Sequence, residues 1–207
     1  MAQYVLHGRQ GSGSFAVQVA LEEIGVPYER LWIPDVAADV AKFRVINPTG
    51  KVPALALPDG TVMFESAAML VHLALAHPAA ELAPPPGTVA HALFLQWMVF
   101  LSANAYDAVL RAYYAPRFSV RGDADAEAIR AQGIRDLTAN LTLVSQALNP
   151  YVMGDRYSIV DVYLYMLASW FPAGKADLYE QLPALGAHAQ ILGRRPALAR
   201  VEADHAA

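Results

Sequence analysis

The stretch Asn47-Pro48-Thr49-Gly50-Lys51-Val52-Pro53-Ala54-Leu55 is followed shortly by Phe64-Glu65-Ser66. Prolines and a glycine bracket a short apolar segment. The acidic–hydroxyl pair stands just ahead of the helix-like run Ala67-Ala68-Met69-Leu70-Val71-His72-Leu73. Asn-Pro-x-Gly has the chemistry of a turn, with glycine supplying a positive φ and asparagine bonding its own backbone. A proline cannot donate to a sheet ladder, so Pro53 belongs at a strand start or edge. A cis Val52–Pro53 bond would turn the chain sharply and leave Val52 backbone groups facing outward; the sequence leaves cis and trans open. Exposed edge backbone of this kind pairs with an extended peptide, main chain to main chain. Ser66 is placed to cap the following helix, whose N-terminal N–H groups and dipole favour a carboxylate. The stretch therefore suits a peptide-like ligand with a backbone to pair and a carboxylate to anchor.

Outward from this stretch, Gln3 to His7 has the pattern of a first strand, and Phe15 to Ile24 is a helix ended by Gly25. Tyr28 to Ile33 alternates as a second strand, and a short helix is expected around Asp35 to Val45. Pro53 to Leu57 and Thr61 to Phe64 form a hairpin across Pro58-Asp59-Gly60, and Ala67 to Ala76 closes the unit as a helix. Three consecutive prolines stiffen the segment that follows. Beyond it the long segments are helical, as in the stripe Ile134, Leu137, Leu141, Val144 and Leu148. The expected organisation is an α/β unit over residues 1–80, a proline-rich linker over 81–87 and an all-helical unit over 88–207.

Of the 207 residues, 56% are hydrophobic and 16% charged, so the chain can bury a large core. The net charge is −4 and there is no basic block, which argues against a nucleic-acid partner. There is no cysteine, which removes disulfides, thiolate metal sites and a cysteine nucleophile. The start, Met1-Ala2-Gln3-Tyr4, lacks the regions of a signal peptide. No Asp, Glu, Lys or Arg occurs between Glu81 and Asp107, a length that invites a membrane reading. His91, Gln96, Ser102 and Asn104 interrupt it, so a central helix covered by core and partner is expected, and no membrane partner. No metal-ligand spacing is evident around His72 or His77.

Asn-Pro-x-Gly-x-Val-Pro followed by Glu-Ser resembles the glutathione-binding half of the glutathione S-transferase superfamily. The resemblance implies an α+β fold: a thioredoxin-like domain followed by a helical bundle. It implies that Val52 and Pro53, with Lys51 beside them, meet the cysteinyl backbone of glutathione. Glu65 and Ser66 would hold its γ-glutamyl end. A second mark is Ser-x-x-Asp at Ser158 and Asp161, ahead of an apolar run. It has the form of a reciprocal capping box, with Tyr157 and Val162 as its staple. It is similar to the capping motif of a buried helix in that family, and its role is structural.

In this superfamily a Tyr, Ser or Cys after the first strand hydrogen-bonds the glutathione sulfur and favours its thiolate. Here the segment is His7-Gly8-Arg9-Gln10-Gly11-Ser12-Gly13-Ser14. Glycines fall on the positions of the serine-type and cysteine-type residues. Ser12 and Ser14 are the catalytic candidates, with helix-start N–H groups as the alternative and a capping role open for Ser14. A cleft between the domains is expected to take the second substrate, with Tyr106, Arg111, Tyr113, Tyr114 and Trp170 as candidates. The family reading implies a bacterial-type, cytoplasmic, homodimeric transferase acting in detoxification. It would use glutathione as cosubstrate, without metal, against a hydrophobic electrophile. The alternatives are a non-catalytic glutathione- or protein-binding member, or a glutathione-dependent disulfide reductase or dehalogenase.

Overall fold

The computed structural model describes residues 3–33 and 40–206, apart from the Lys42 side chain. The first unit contains β1 (Tyr4–Gly8), α1 (Ser14–Ile24), β2 (Tyr28–Trp32), α2 (Val40–Phe43), β3 (Ala54–Ala56), β4 (Val62–Met63) and α3 (Ser66–Ala76). The helix expected around Asp35 to Val45 lies partly outside the described residues, and α2 is its described part. The four strands form one sheet in the order β2-β1-β3-β4. Strands β1 and β2 run parallel, while β3 is antiparallel to both β1 and β4. Helices α1 and α3 pack together, burying Val17, Leu21, Met69, Leu70 and Leu73 with Leu6 and Leu55 of the sheet. Gly25 ends α1 at φ 72°, a left-handed conformation that glycine adopts without a Cβ clash. This βαβ-α-ββα order is the thioredoxin-like arrangement.

The second unit, Pro84–Leu192, is helical. It holds α4 (Val89–Phe100), α5 (Asp107–Tyr113), α6 (Ala126–Ala147), α7 (Ile159–Ser169), α8 (Lys175–Gln181) and α9 (Pro183–Leu192). A π-helical segment, Leu101–Tyr106, joins α4 to α5, so that Val89–Tyr113 is one continuous 25-residue helix. By length and composition this helix is apolar enough to cross a membrane. Thr88 caps it, its Oγ accepting from the His91 N–H at 3.1 Å.

The last helix, α10 (Pro196–Ala206), belongs with the first unit, not with the helical unit expected over 88–207. It packs on α1, burying Ala197, Leu198 and Val201. Charges finish the docking. Arg195 grips Glu23 with two bonds of 2.7 and 2.8 Å, and Arg200 meets Glu22 at 2.8 Å. Asp204 is paired with Arg30 and accepts from Gln18 Nε2 at 2.7 Å. Helical periodicity locates such a segment but does not name its partner, because any apolar stripe will accept it.

The capping box between Ser158 and Asp161 forms at the head of α7, a helix buried along nearly its whole length. The Ser158 N–H donates to Asp161 Oδ2 at 2.8 Å. Two bonds lie beyond the sequence motif. The Val152 N–H donates to Asp161 Oδ1 at 2.9 Å, and His188 Nε2 of α9 lies 3.0 Å from the same oxygen. Asp161 and His188 are both buried. Asp161→Ala would strand three buried donors at about 1–3 kcal/mol each. We expect a loss of at least ~3 kcal/mol in denaturant unfolding, well above the ~1 kcal/mol of an ordinary cap. A loss at the cap level would remove the hub role.

His205 gives α10 a pH dependence. Its ring lies edge-on to Phe15 and Trp32 at 5.2 and 5.0 Å, and its Nε2 lies 3.2 Å from Gln18 Oε1. Burial first, and then the Arg30 charge, push its pKa down from 6.5 to about 4, against the opposing pull of Asp204. The unfolded chain therefore takes up this proton before the folded one does. Stability from this site is complete above pH 6.5 and is lost as pH falls towards 4. The melting temperature of His205→Gln should consequently fall less steeply than wild type across that window. Parallel curves would show that the site contributes nothing.

Candidate functional site

Sheet register gathers the candidate site at one end of the first unit. Ala54 of β3 pairs with His7 of β1, and Leu55 with Leu6. The start of β3 therefore lies beside the end of β1, where the Arg9–Gly13 loop departs. Met63 of β4 pairs with Leu55, so the chain leaves β4 through Phe64 and Glu65 at the same end. Three sequence-distant segments, 9–14, 51–53 and 64–66, are thus placed at one end of the sheet.

The turn before β3 is built by Asn47, whose side chain is buried. Its Oδ1 accepts from the Thr49 N–H at 3.0 Å and from Thr49 Oγ1 at 2.9 Å, while its Nδ2 donates to the Lys51 carbonyl. Gly50 has φ 67°, and a Cβ there would lie 2.8 Å from Val40 Cγ2, so glycine is required on both counts. Asn47 stands in the Asn-Pro-x-Gly motif but is not among the site residues to which the sequence points. Its signal was the Asn-Pro-x-Gly pattern, which marks a turn without saying that the asparagine ties it to Lys51. The Val52–Pro53 bond is cis. Pro53 is buried, Val52 is half-buried and Lys51 is exposed.

Glu65 is exposed and stands at φ 71°, ψ 104°, ahead of the first residue of α3. For a residue with a Cβ this conformation costs about 1–3 kcal/mol and persists only where its surroundings impose it. The cap of α3 differs from the expected one. Glu65 occupies the cap position without a side-chain cap bond, and Ser66 is the first helical residue, buried. The dipole end of α3 is still present at this end of the sheet.

The serine loop is closed on itself. Ser12 Oγ donates to the Arg9 carbonyl at 2.6 Å and lies 2.9 Å from Ser14 Oγ, which is itself 2.9 Å from the Arg9 carbonyl. The Arg9 N–H donates back to Ser14 Oγ at 3.2 Å. Ser14 is wholly buried and Ser12 nearly so. Ser14 is the first residue of α1 and does not cap it; Gly13 holds the cap position. Beside the loop, burial holds the His7 pKa below its ordinary value, against a smaller upward pull from Glu29.

In the helical unit the five substrate candidates separate. Tyr106 and Trp170 come together, ring centroids 5.6 Å apart and edge to face, with Tyr163 stacked on Tyr106 at 6.4 Å. Arg111 is committed elsewhere: its Nε bonds Asp107 at 2.8 Å and its Nη1 bonds Asp136 at 2.6 Å. Asp136, helped first by that bond, is held below the usual carboxylate range. Tyr113 and Tyr114 are exposed at the end of α5. Among the described residues no three His, Asp or Glu side chains gather as a metal site.

Known proteins share this architecture. The family described as "Glutathione S-transferase, N-terminal domain" matches residues 14–76. A glutathione S-transferase, GstA, of Escherichia coli O157:H7 is 29% identical over 201 residues, 91% of this chain and 92% of that one. A glutathione transferase homologue from Sulfitobacter, solved with bound glutathione, superposes with a TM-score of 0.88 at 27% identity, covering 99% of each chain. A sphingomonad glutathione S-transferase complexed with glutathione gives 0.82 at 27% identity over 98% of each. The four-stranded sheet and the helical unit agree with these likenesses, which support the glutathione S-transferase superfamily as the family of this chain.

Proposed function

We propose that this chain binds glutathione at the end of the sheet formed by residues 51–53 and 65–66, and that it transfers the glutathione thiolate to a small apolar electrophile. The observation that carries the reading is Glu65. A non-glycine residue is held at φ 71° just ahead of a helix N-terminus, where strain of this kind goes with ligand binding. Glutathione-bound relatives of the same fold support the ligand. In this reading Val52 pairs with the cysteinyl backbone, with Lys51 and Pro53 shaping that end. The Glu65 carboxylate meets the γ-glutamyl ammonium, and the α3 N-terminus with Ser66 meets the carboxylate.

The thiol loses its proton to solvent, its sulfur bonds the electrophilic carbon, and the leaving group departs with its electron pair. A free thiol titrates near pH 8.5, so any donor at the sulfur raises the reactive fraction at neutral pH. Ser12 and Ser14 direct their hydroxyls to Arg9, so we assign them to shaping the loop and assign the sulfur to N–H groups at the start of α1. The same observation favours a second reading, a glutathione-binding member without turnover.

Calorimetry with glutathione and conjugation assays across an electrophile panel separate the readings. Wild type should bind and turn over. Glu65→Gln should bind about tenfold more weakly at an unchanged melting temperature. Ser12→Ala should keep turnover within about tenfold while melting earlier. A hundredfold loss in stably folded Ser12→Ala would return the donor role to Ser12. Binding without turnover would select the second reading, and no binding would end both.

A homodimer completes the proposal. Helix α4 buries Phe94 and Met98, yet Val89, Leu93, Leu95 and Val99 are exposed on its other side. A second copy of the chain would cover this face, away from water. Light scattering on the purified protein should give twice the chain mass, and Leu93→Glu should shift it to monomer. A wild-type monomer, or wild type that floats with phospholipid vesicles, would overturn this assignment.

A further inference from the structure

Residues 113–121 carry two arginines and no acid. Three aromatic side chains stand exposed in this short stretch: Tyr113 at 50%, Tyr114 at 36% and Phe118 at 43%. Exposed apolar side chains usually occur singly, and a cluster marks a binding surface. The backbone beneath them is fixed. The Tyr114 N–H bonds the Leu110 carbonyl at 2.7 Å, the Arg117 N–H bonds the Tyr114 carbonyl at 2.9 Å, and Ala115 is buried.

Arg117 is the unusual member. Its guanidinium lies over the Tyr114 ring, 4.2 Å from the centroid. Stacking uses one face of the guanidinium and leaves its in-plane N–H donors unspent. Among the described residues no carboxylate takes them. The neighbouring cations are neutralised: Arg111 by Asp107 and Asp136, and Arg121 by Asp125. Asp125 also accepts from Ser119 Oγ at 3.0 Å, so this acid is already engaged. A stacked, unneutralised guanidinium beside exposed aromatic rings matches a flat ligand carrying an anion.

We propose that Arg117 and Tyr114 form a recognition site for aromatic carboxylates, the arene packing on the exposed rings and the carboxylate taking the guanidinium edge in a forked pair. The site concerns the helical unit alone and does not depend on glutathione being bound elsewhere.

The test titrates 2-naphthoate and its neutral isostere 2-naphthamide by calorimetry, without glutathione. Wild type should prefer the acid about tenfold, the size of one charge-assisted bond. The preference should disappear in Arg117→Gln, survive in part in Arg117→Lys, and weaken with salt in wild type. Tyr114→Leu should weaken both ligands. Unchanged melting temperatures keep these losses local. Equal affinity for acid and amide in wild type would overturn the proposal, as would no binding of either, or a preference that persists in Arg117→Gln.

Discussion

The antiparallel pairing of Leu6 with Leu55 and His7 with Ala54 is the constraint on which the first unit depends. A strand register has a period of two, so a slip by one residue would turn Leu55 from the core to the opposite face. Leu6 and Leu55 are both fully buried, and this fixes the register energetically. Once it is fixed, the end of β1 and the start of β3 must lie side by side, because antiparallel strands place one strand's exit against its partner's entry. The β4 partner inherits the same alignment through Leu55 and Met63. The candidate site is therefore a consequence of core packing. Two leucines facing inward bring the serine loop, the Lys51–Pro53 edge and the Glu65–Ser66 turn to one end of the sheet.

The turn that enters β3 shows how a local motif carries such a register. Asn47 uses its acceptor on Thr49 and its donors on Lys51, so one buried side chain closes the loop at both ends. A buried amide satisfied on both sides holds a single geometry, because each alternative leaves a polar group unpaired in the interior. Gly50 then supplies the one backbone conformation that lets the chain pass Val40. At Asp161 the logic repeats in the second unit: one carboxylate serves the helix cap, the Val152 N–H and a histidine two helices away.

Much of this was legible in the sequence, and for physical reasons. Strands β1 to β4 and helices α1 and α3 fall within a residue or two of their expected limits, because alternation and helical spacing report burial directly. Gly25 and the Ser158–Asp161 box were legible because capping is local. The placement of α10 was not, since its contacts with Glu22, Glu23 and Gln18 span most of the chain. The cap of α3 falls one residue earlier than expected, and the capping role open for Ser14 falls to Gly13. In both, a serine sits where capping chemistry predicts a cap, yet it is the first helical residue and the preceding Gly13 or Glu65 takes the cap position. His188 as a partner of Asp161 carried no local signal at all.

The serines and the arginines teach the same lesson about counting. A hydroxyl has one proton, and Ser12 gives its proton to the Arg9 carbonyl at 2.6 Å. A guanidinium has five donors and one charge, and Arg111 meets two carboxylates. Residue type suggests chemistry at both positions, and in the fold both side chains already hold partners. Arg117 differs because stacking on Tyr114 satisfies its face and not its edge. The groups free to meet a ligand are those that the fold has positioned without spending their hydrogen bonds. That distinction depends on partners distant in sequence, and so it becomes visible only when the chain is folded.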